Sequence, residues 1–192
     1  MTDKNLPAAE EDKQEKSPAQ QDYDRGREFM SNNDPVQAAN LFHNALIGFE
    51  QGGDENGVAN ATDKLGDLCL EKKDYAKAIE HYRRAYAICE KAADEFSLTA
   101  LNKKIARAQC GLADFDAAIN IHLDLMETYR IYNNPGKVVE TLETLAEIYL
   151  QKGDRDAAID ALRVAANIHN GFNHKRHAQA LLDKAAEIAK NA

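Results

Sequence analysis

Lys72-Lys73-Asp74-Tyr75-Ala76-Lys77-Ala78-Ile79 reads as a short turn, a capping aspartate and the opening of a helix, and its key residues return at a fixed interval. Asp34, Asp74, Asp114 and Asp154 stand 40 residues apart, as do Ala38, Ala78, Ala118 and Ala158. Gly26, Gly66, Ala106, Ala146 and Ala186 form a third column in the same register, with no gap between its members. A strict period of this size marks one supersecondary unit stacked on copies of itself. Such a stack offers a long shared surface and no closed reaction pocket, which directs the functional reading towards binding.

From Tyr23 onwards each period divides into two amphipathic helices. In the second period Val58, Ala61, Leu65, Leu68 and Cys69 mark one helical face; Tyr75, Ala78, Ile79, Tyr82, Ala85, Tyr86 and Cys89 mark the next. The recurring aspartate is placed to cap that second helix, accepting from an unpaired backbone N–H and favouring the positive end of the helix dipole. Pro35 fits the first helical position after Asp34, and Gly153 can close the preceding helix in a left-handed conformation. Gly52-Gly53, Asn133-Asn134-Pro135-Gly136 and Gly171 break the chain between units, whereas Ala92-Ala93-Asp94-Glu95 carries no breaker. The segment from His177 to about Lys190 matches only the first helix of a unit, as a capping element would.

The bulk properties agree with a helical solenoid. Of 192 residues 44% are apolar, Pro is scarce and Trp absent. A net charge of -8 without a basic stripe argues against a nucleic-acid partner, whose phosphates need Lys and Arg to replace counterions. Cys69, Cys89 and Cys110 are widely spaced within apolar helical patterns, as expected of reduced core residues in a cytoplasmic protein. No signal peptide and no run of the roughly 18 apolar residues a membrane span needs are visible. Residues 1–20, with the polar run Glu10-Glu11-Asp12-Lys13, are expected to form a disordered tail, and 21–192 the folded domain.

Catalytic and metal chemistry is not expected. His169, His174 and His177 cluster in a polar stretch beside Gly171 and Asn173, which reads as a surface loop rather than a metal site. His122 stands in a bulky core column and is expected to be a packed histidine with one hydrogen bond. No phosphate loop, nucleophile elbow or zincin string appears, so no cofactor is assigned. Acidic pairs such as Glu143 and Glu147 recur from unit to unit, which suits architecture or binding better than acid–base catalysis.

Taken together, these columns resemble the tetratricopeptide repeat. Leu65, Ile105 and Leu145 precede the small residue of the first helix, and Phe29 and Tyr149 follow it three positions on. In the second helix Phe42, Tyr82, His122 and Leu162 follow the alanine column, then Ala45, Ala85 and Ala165, with Leu125 departing. The period of 40 resembles the long-helix subclass found in kinesin light chains and Leu-Gly-Asn-repeat adaptors. The resemblance implies a right-handed, all-α solenoid of four antiparallel helix pairs and a capping helix. It also implies a non-catalytic adaptor that holds a peptide or helix of a partner protein in a concave groove.

Carried onto this chain, the family's groove positions are Tyr23 and Arg27, Asp63 and Asp67, Lys103 and Arg107, Glu143 and Glu147, and Asp183 and Glu187. Members of each pair share a helical face. Neighbouring helices about 8 to 10 Å apart would let Lys103 and Arg107 tie to Asp63, Asp67, Glu143 and Glu147 as an internal ladder. The same groups could instead grip a partner, with mixed-charge or basic segments preferred to strongly acidic ones. Self-association is the second expectation, through Phe96 and Phe172 if they are exposed.

Overall fold

The computed structural model describes residues 16–190, which form an α-solenoid. Among them are nine α-helices and no strand: α1 (Pro18–Ser31), α2 (Pro35–Gly52), α3 (Glu55–Glu71), α4 (Tyr75–Lys91), α5 (Glu95–Gly111), α6 (Phe115–Ile131), α7 (Pro135–Lys152), α8 (Arg155–Gly171) and α9 (Lys175–Lys190). The extensive packing joins each helix to the next in sequence, from α1 on α2 to α8 on α9. Stacked nearest-neighbour units of this kind are what a gap-free period demands.

The backbone repeats at half the sequence period. Asn33, Gly53, Lys73, Ala93, Ala113, Asn133, Gly153 and Asn173 all have positive φ, and they stand 20 residues apart. In each turn the N–H of the following residue returns to a carbonyl five positions back, as in Asp34 to Phe29 and Asp94 to Cys89, at 2.9 and 3.0 Å. This is the Schellman closure, which satisfies the orphan carbonyls of one helix. The residue that closes one helix then caps the next. Asp34, Asp54, Asp74, Asp94, Asp114, Asn134 and Asp154 each accept from the backbone N–H three residues on.

The junction at Ala92-Ala93-Asp94-Glu95, which lacks a sequence breaker, therefore turns like all the others, with Ala93 at φ 52°. At the fourth unit the left-handed residue is Asn173 and not Gly171, which ends α8.

Residues 1–15 of the expected tail lie outside the described residues. Residues 18–20 belong to α1: the Ser17 hydroxyl caps it by accepting from Gln20 N, and Pro18 occupies its first turn. Ala19 is buried close to Gly48, where an added Cβ would stand 2.8 Å from the Ala19 Cβ.

Small-residue columns set how closely paired helices approach. A Cβ on Gly26 would stand 2.8 Å from the Phe42 ring, and one on Gly66 would stand 2.5 Å from the Tyr82 ring. Glycine is required there because the aromatic ring lies against the backbone. In the next two repeats the column holds Ala106 and Ala146, and the aromatic gives way to His122 and Leu162. Among the described residues no helix follows α9; its column residue Ala186 is exposed, while Ala185 is buried in the terminal cluster with Leu181.

Candidate interaction surface on the odd-numbered helices

Ion pairs that cross between repeats show which helices share a face. Lys104 of α5 reaches back to α3, with Nζ 2.6 Å from Asp63 and 2.8 Å from Asp67. Lys103 of α5 reaches forward to Glu140 of α7 at 3.3 Å, and Lys184 of α9 reaches Glu147 of α7 at 3.7 Å. The helices α3, α5, α7 and α9 therefore line one continuous surface, on which side chains four residues apart point the same way, and α1 adjoins it where Tyr23 lies in the field of Lys64 and Asp63 of α3.

The expected ladder forms with different rungs. Lys104, not Lys103, neutralises Asp63 and Asp67, with Lys64 beside them at 3.5 and 3.2 Å. The Tyr82 hydroxyl also donates to Asp67 at 2.9 Å. Burial, and then the Asp67 charge, push the Tyr82 hydroxyl pKa far upward, so it remains a donor. Lys103 is taken by Glu140 and lies 5.7 Å from the Tyr129 ring centroid. Burial disfavours its charge, but contacts with Tyr129 and Glu140 outweigh that and leave its pKa raised. Arg107 is exposed and makes no ion pair or hydrogen bond among the described residues.

The remaining groove positions separate into three kinds. Tyr23 is half-buried core, with ring centroids 5.6 Å from Phe42 and 6.3 Å from Phe49. Glu147 is held by Lys184, and Asp183 accepts from Gln179 at 2.9 Å. Arg27, Glu143 and Glu187 have no hydrogen-bond or ion-pair partner among the described residues. At these groove positions the unspent charge is thus positive on α1 and α5 and negative on α7 and α9.

Between α5 and α7 the surface deepens into a cavity of about 320 Å³, lined by Lys103, Arg107, Thr144, Ile148 and Gln151, among others, with His122 of α6 reaching it from below. His122 is 7% exposed, as a packed histidine should be, but its Nδ1 has no hydrogen-bond partner, contrary to the sequence expectation. The core column supplies bulk at this position without supplying an acceptor or donor. Burial first, and then the Lys103 charge, hold the His122 pKa below the ordinary imidazole value. The reading of the sequence placed His122 in the core and missed its part in this surface. The available signal was an imidazole in a column that Phe42, Tyr82 and Leu162 fill in the other repeats.

His169, His174 and His177 do come together, with ring centroids 5.2 to 6.1 Å apart, at the turn between α8 and α9. Among the described residues no group of three or more His, Cys, Asp or Glu is arranged to hold a metal ion. Cys69, Cys89 and Cys110 are free thiols, half-buried, each with its pKa raised by burial. No described helix is long and apolar enough to cross a membrane.

Comparison with known proteins agrees with this architecture. The Tetratricopeptide repeat family matches residues 20–91 and again residues 141–191. No curated protein matches by sequence. Kinesin light chain TPR-like repeats from Podosopora anserina superpose with a TM-score of 0.66 at 14% identity, covering 92% of this chain and 98% of theirs. The apo form of RapI gives 0.75 at 13% identity, covering 91% of this chain and 65% of that one. A Rap protein complexed with Competence and Sporulation Factor gives 0.59 at 17% identity, covering 88% and 51%.

Proposed function

Because the chain belongs to the tetratricopeptide-repeat family, we propose that it is a non-catalytic adaptor that holds a segment of another protein along its odd-helix face. The observation that carries this reading is the unspent charge on that face: Arg27 and Arg107 at one side, Glu143 and Glu187 at the other. Charge left uncompensated on an ordered surface favours a complementary partner more than it favours the fold. The preferred segment is of mixed charge, its acidic residues lying over α1 and α5 and its basic residues over α7 and α9. Asp63 and Asp67 contribute little to selection, since Lys64 and Lys104 already neutralise them. A Rap protein, similar in fold, is known in complex with Competence and Sporulation Factor, which supports a ligand-holding role for the architecture. Free thiols suit a cytoplasmic setting.

Affinity capture from native lysate tests the proposal, comparing wild type with Arg107→Glu and with Glu143→Lys/Glu187→Lys. Partners retained by wild type and lost by the folded variants would place the ligand on this face. A captured set unchanged by both reversals would move binding elsewhere.

A second reading, self-association, is favoured by two aromatic side chains at inter-repeat turns. Phe96 is 86% and Phe172 56% exposed. Sedimentation over a range of concentrations decides it: a dimer dispersed by Phe96→Ser/Phe172→Ser supports that reading, and a monomer throughout removes it.

A further inference from the structure

The turns that join α2 to α3, α4 to α5, α6 to α7 and α8 to α9 share one edge of the solenoid, where α3, α5, α7 and α9 all begin. Among the described residues the three most exposed large apolar side chains stand on this edge: Phe96 at 86%, Ile131 at 74% and Tyr132 at 66%. Phe96 occupies the second position of α5 and packs in none of the apolar clusters. It is a knob without a hole in its own chain.

A hole lies one turn further along the same edge. Tyr129 of α6, Pro135 and Val138 of α7 and Ile168 of α8 wall a cleft of about 200 Å³, with Ile131 and Tyr132 beside it. That volume is below the roughly 300 Å³ at which small-molecule sites begin, and it is of the order of one aromatic side chain. The α4–α5 turn does not repeat this lining, because Glu95 stands where Pro135 does and Thr128 where Ile168 does.

Charge and placement say what fills the cleft. Arg130 is the one charged residue in the lining, and its ion pair, with Glu127 at 3.6 Å, is exposed and holds it weakly. On the knob's turn Glu90, Asp94 and Glu95 stand against Lys91. The Glu95 carboxylate, next to Phe96, has no hydrogen-bond or ion-pair partner among the described residues. The knob is on α5 and one wall of the hole on α7, neighbours joined by the Lys103–Glu140 pair, with axes about 8 to 10 Å apart. A two-fold axis between them would seat two knobs at once and close the assembly at two copies.

We propose that this edge is a self-complementary interface with a second copy of the chain. Phe96 of each copy enters the partner's cleft, and Glu95 of each pairs with the partner's Arg130. The inference rests on the self-association reading and supplies its contacts and symmetry. Because the contact uses the edge, it leaves the odd-helix face of each copy free for another protein.

Sedimentation equilibrium of the full chain over micromolar concentrations tests this, with a melting curve for every variant. Wild type is expected to form a dimer and nothing larger. Phe96→Ser should weaken the dimer by at least about a hundredfold, since two buried rings are lost per dimer. Val36→Ser, at a 61% exposed side chain on the opposite edge, should leave it unchanged. Arg130→Glu and Glu95→Arg should each weaken it about tenfold, and the two changes in one chain should restore it. A dimer indifferent to Phe96→Ser, one dispersed equally by Val36→Ser, or species that keep growing with concentration would each overturn the proposal. If Phe96→Ser disperses the dimer but the paired charge exchange restores nothing, self-association stands and this geometry falls. A monomer up to about 1 mM removes both.

Discussion

In the second repeat Gly66 lets the Tyr82 ring lie against α3, and the Tyr82 hydroxyl reaches through to Asp67. Lys64 and Lys104 close the same cluster, so that junction has both its volume and its polar groups filled. Forty residues on, Ala106 and His122 occupy the equivalent places. There the ring nitrogen has no partner and a cavity opens above it. Two copies of one pattern have thus been used differently: the second is finished inside the molecule, and the third keeps unmet bonding capacity on its surface. Departures from good packing that share one repeat and one face are the expected mark of a binding site.

The largest effect should come from breaking the finished junction. Gly66→Ala places a Cβ 2.5 Å from the Tyr82 ring and should cost about 2 kcal/mol by overpacking, read from urea denaturation. Adding Tyr82→Leu, which copies the Leu162–Ala146 pairing, should recover part of that loss. If Gly66→Ala alone were neutral, close approach would not explain the glycine column.

Filling in the unfinished junction should act in the opposite direction. His122→Leu removes a buried orphan nitrogen and should raise stability by about 1 kcal/mol in the same assay. An unchanged or lower stability would mean that His122 is satisfied in solution and the comparison is overdrawn.

Ala93→Gly and Ala113→Gly should each stabilise by about 0.5 kcal/mol, because glycine adopts positive φ without a Cβ penalty. The control is Gly153→Ala, at φ 89°, which should destabilise.

The smallest effect is on pH dependence. Burial holds the pKa values of His81 and His122 below the ordinary imidazole value of 6.5. Between the folded and unfolded pKa values the unfolded chain binds more protons, so stability is full above about pH 6.5 and falls as the pH drops through the folded values. His122→Leu should flatten the decline in melting temperature between pH 7 and 5; an unaltered slope would assign it to His81 and the other groups.

The architecture was readable because caps and close approaches leave compositional marks. Asp34, Asp74, Asp114 and Asp154 announce their helices, and Gly26 and Gly66 announce backbone contact. The half-period was also present in the sequence, since Asp54, Asp94 and Asn134 interleave with that column. It is harder to see because the left-handed residue before each cap varies among Asn, Gly, Lys and Ala.

Side-chain reach was not readable at the same level. Lys103 and Lys104 are adjacent, and a helical face is wide enough to admit either. Which ammonium turns back to Asp63 and which goes forward to Glu140 depends on rotamers that packing alone selects. Nor does the pattern reveal that the histidine replacing an aromatic at position 122 leaves a nitrogen unpaired, because an imidazole fills the column's volume either way.

Since each helix packs mainly on its sequence neighbours, the solenoid behaves mechanically as springs joined in series. A pull between the termini reaches every interface with equal tension, and the total extension is governed by the most compliant one. The packing of α5 on α6 is the sparsest in the stack, and it lies directly under the cavity. Tension would therefore open the middle first, leaving stiffer blocks on either side, and an anchored partner would be released before either end unravelled.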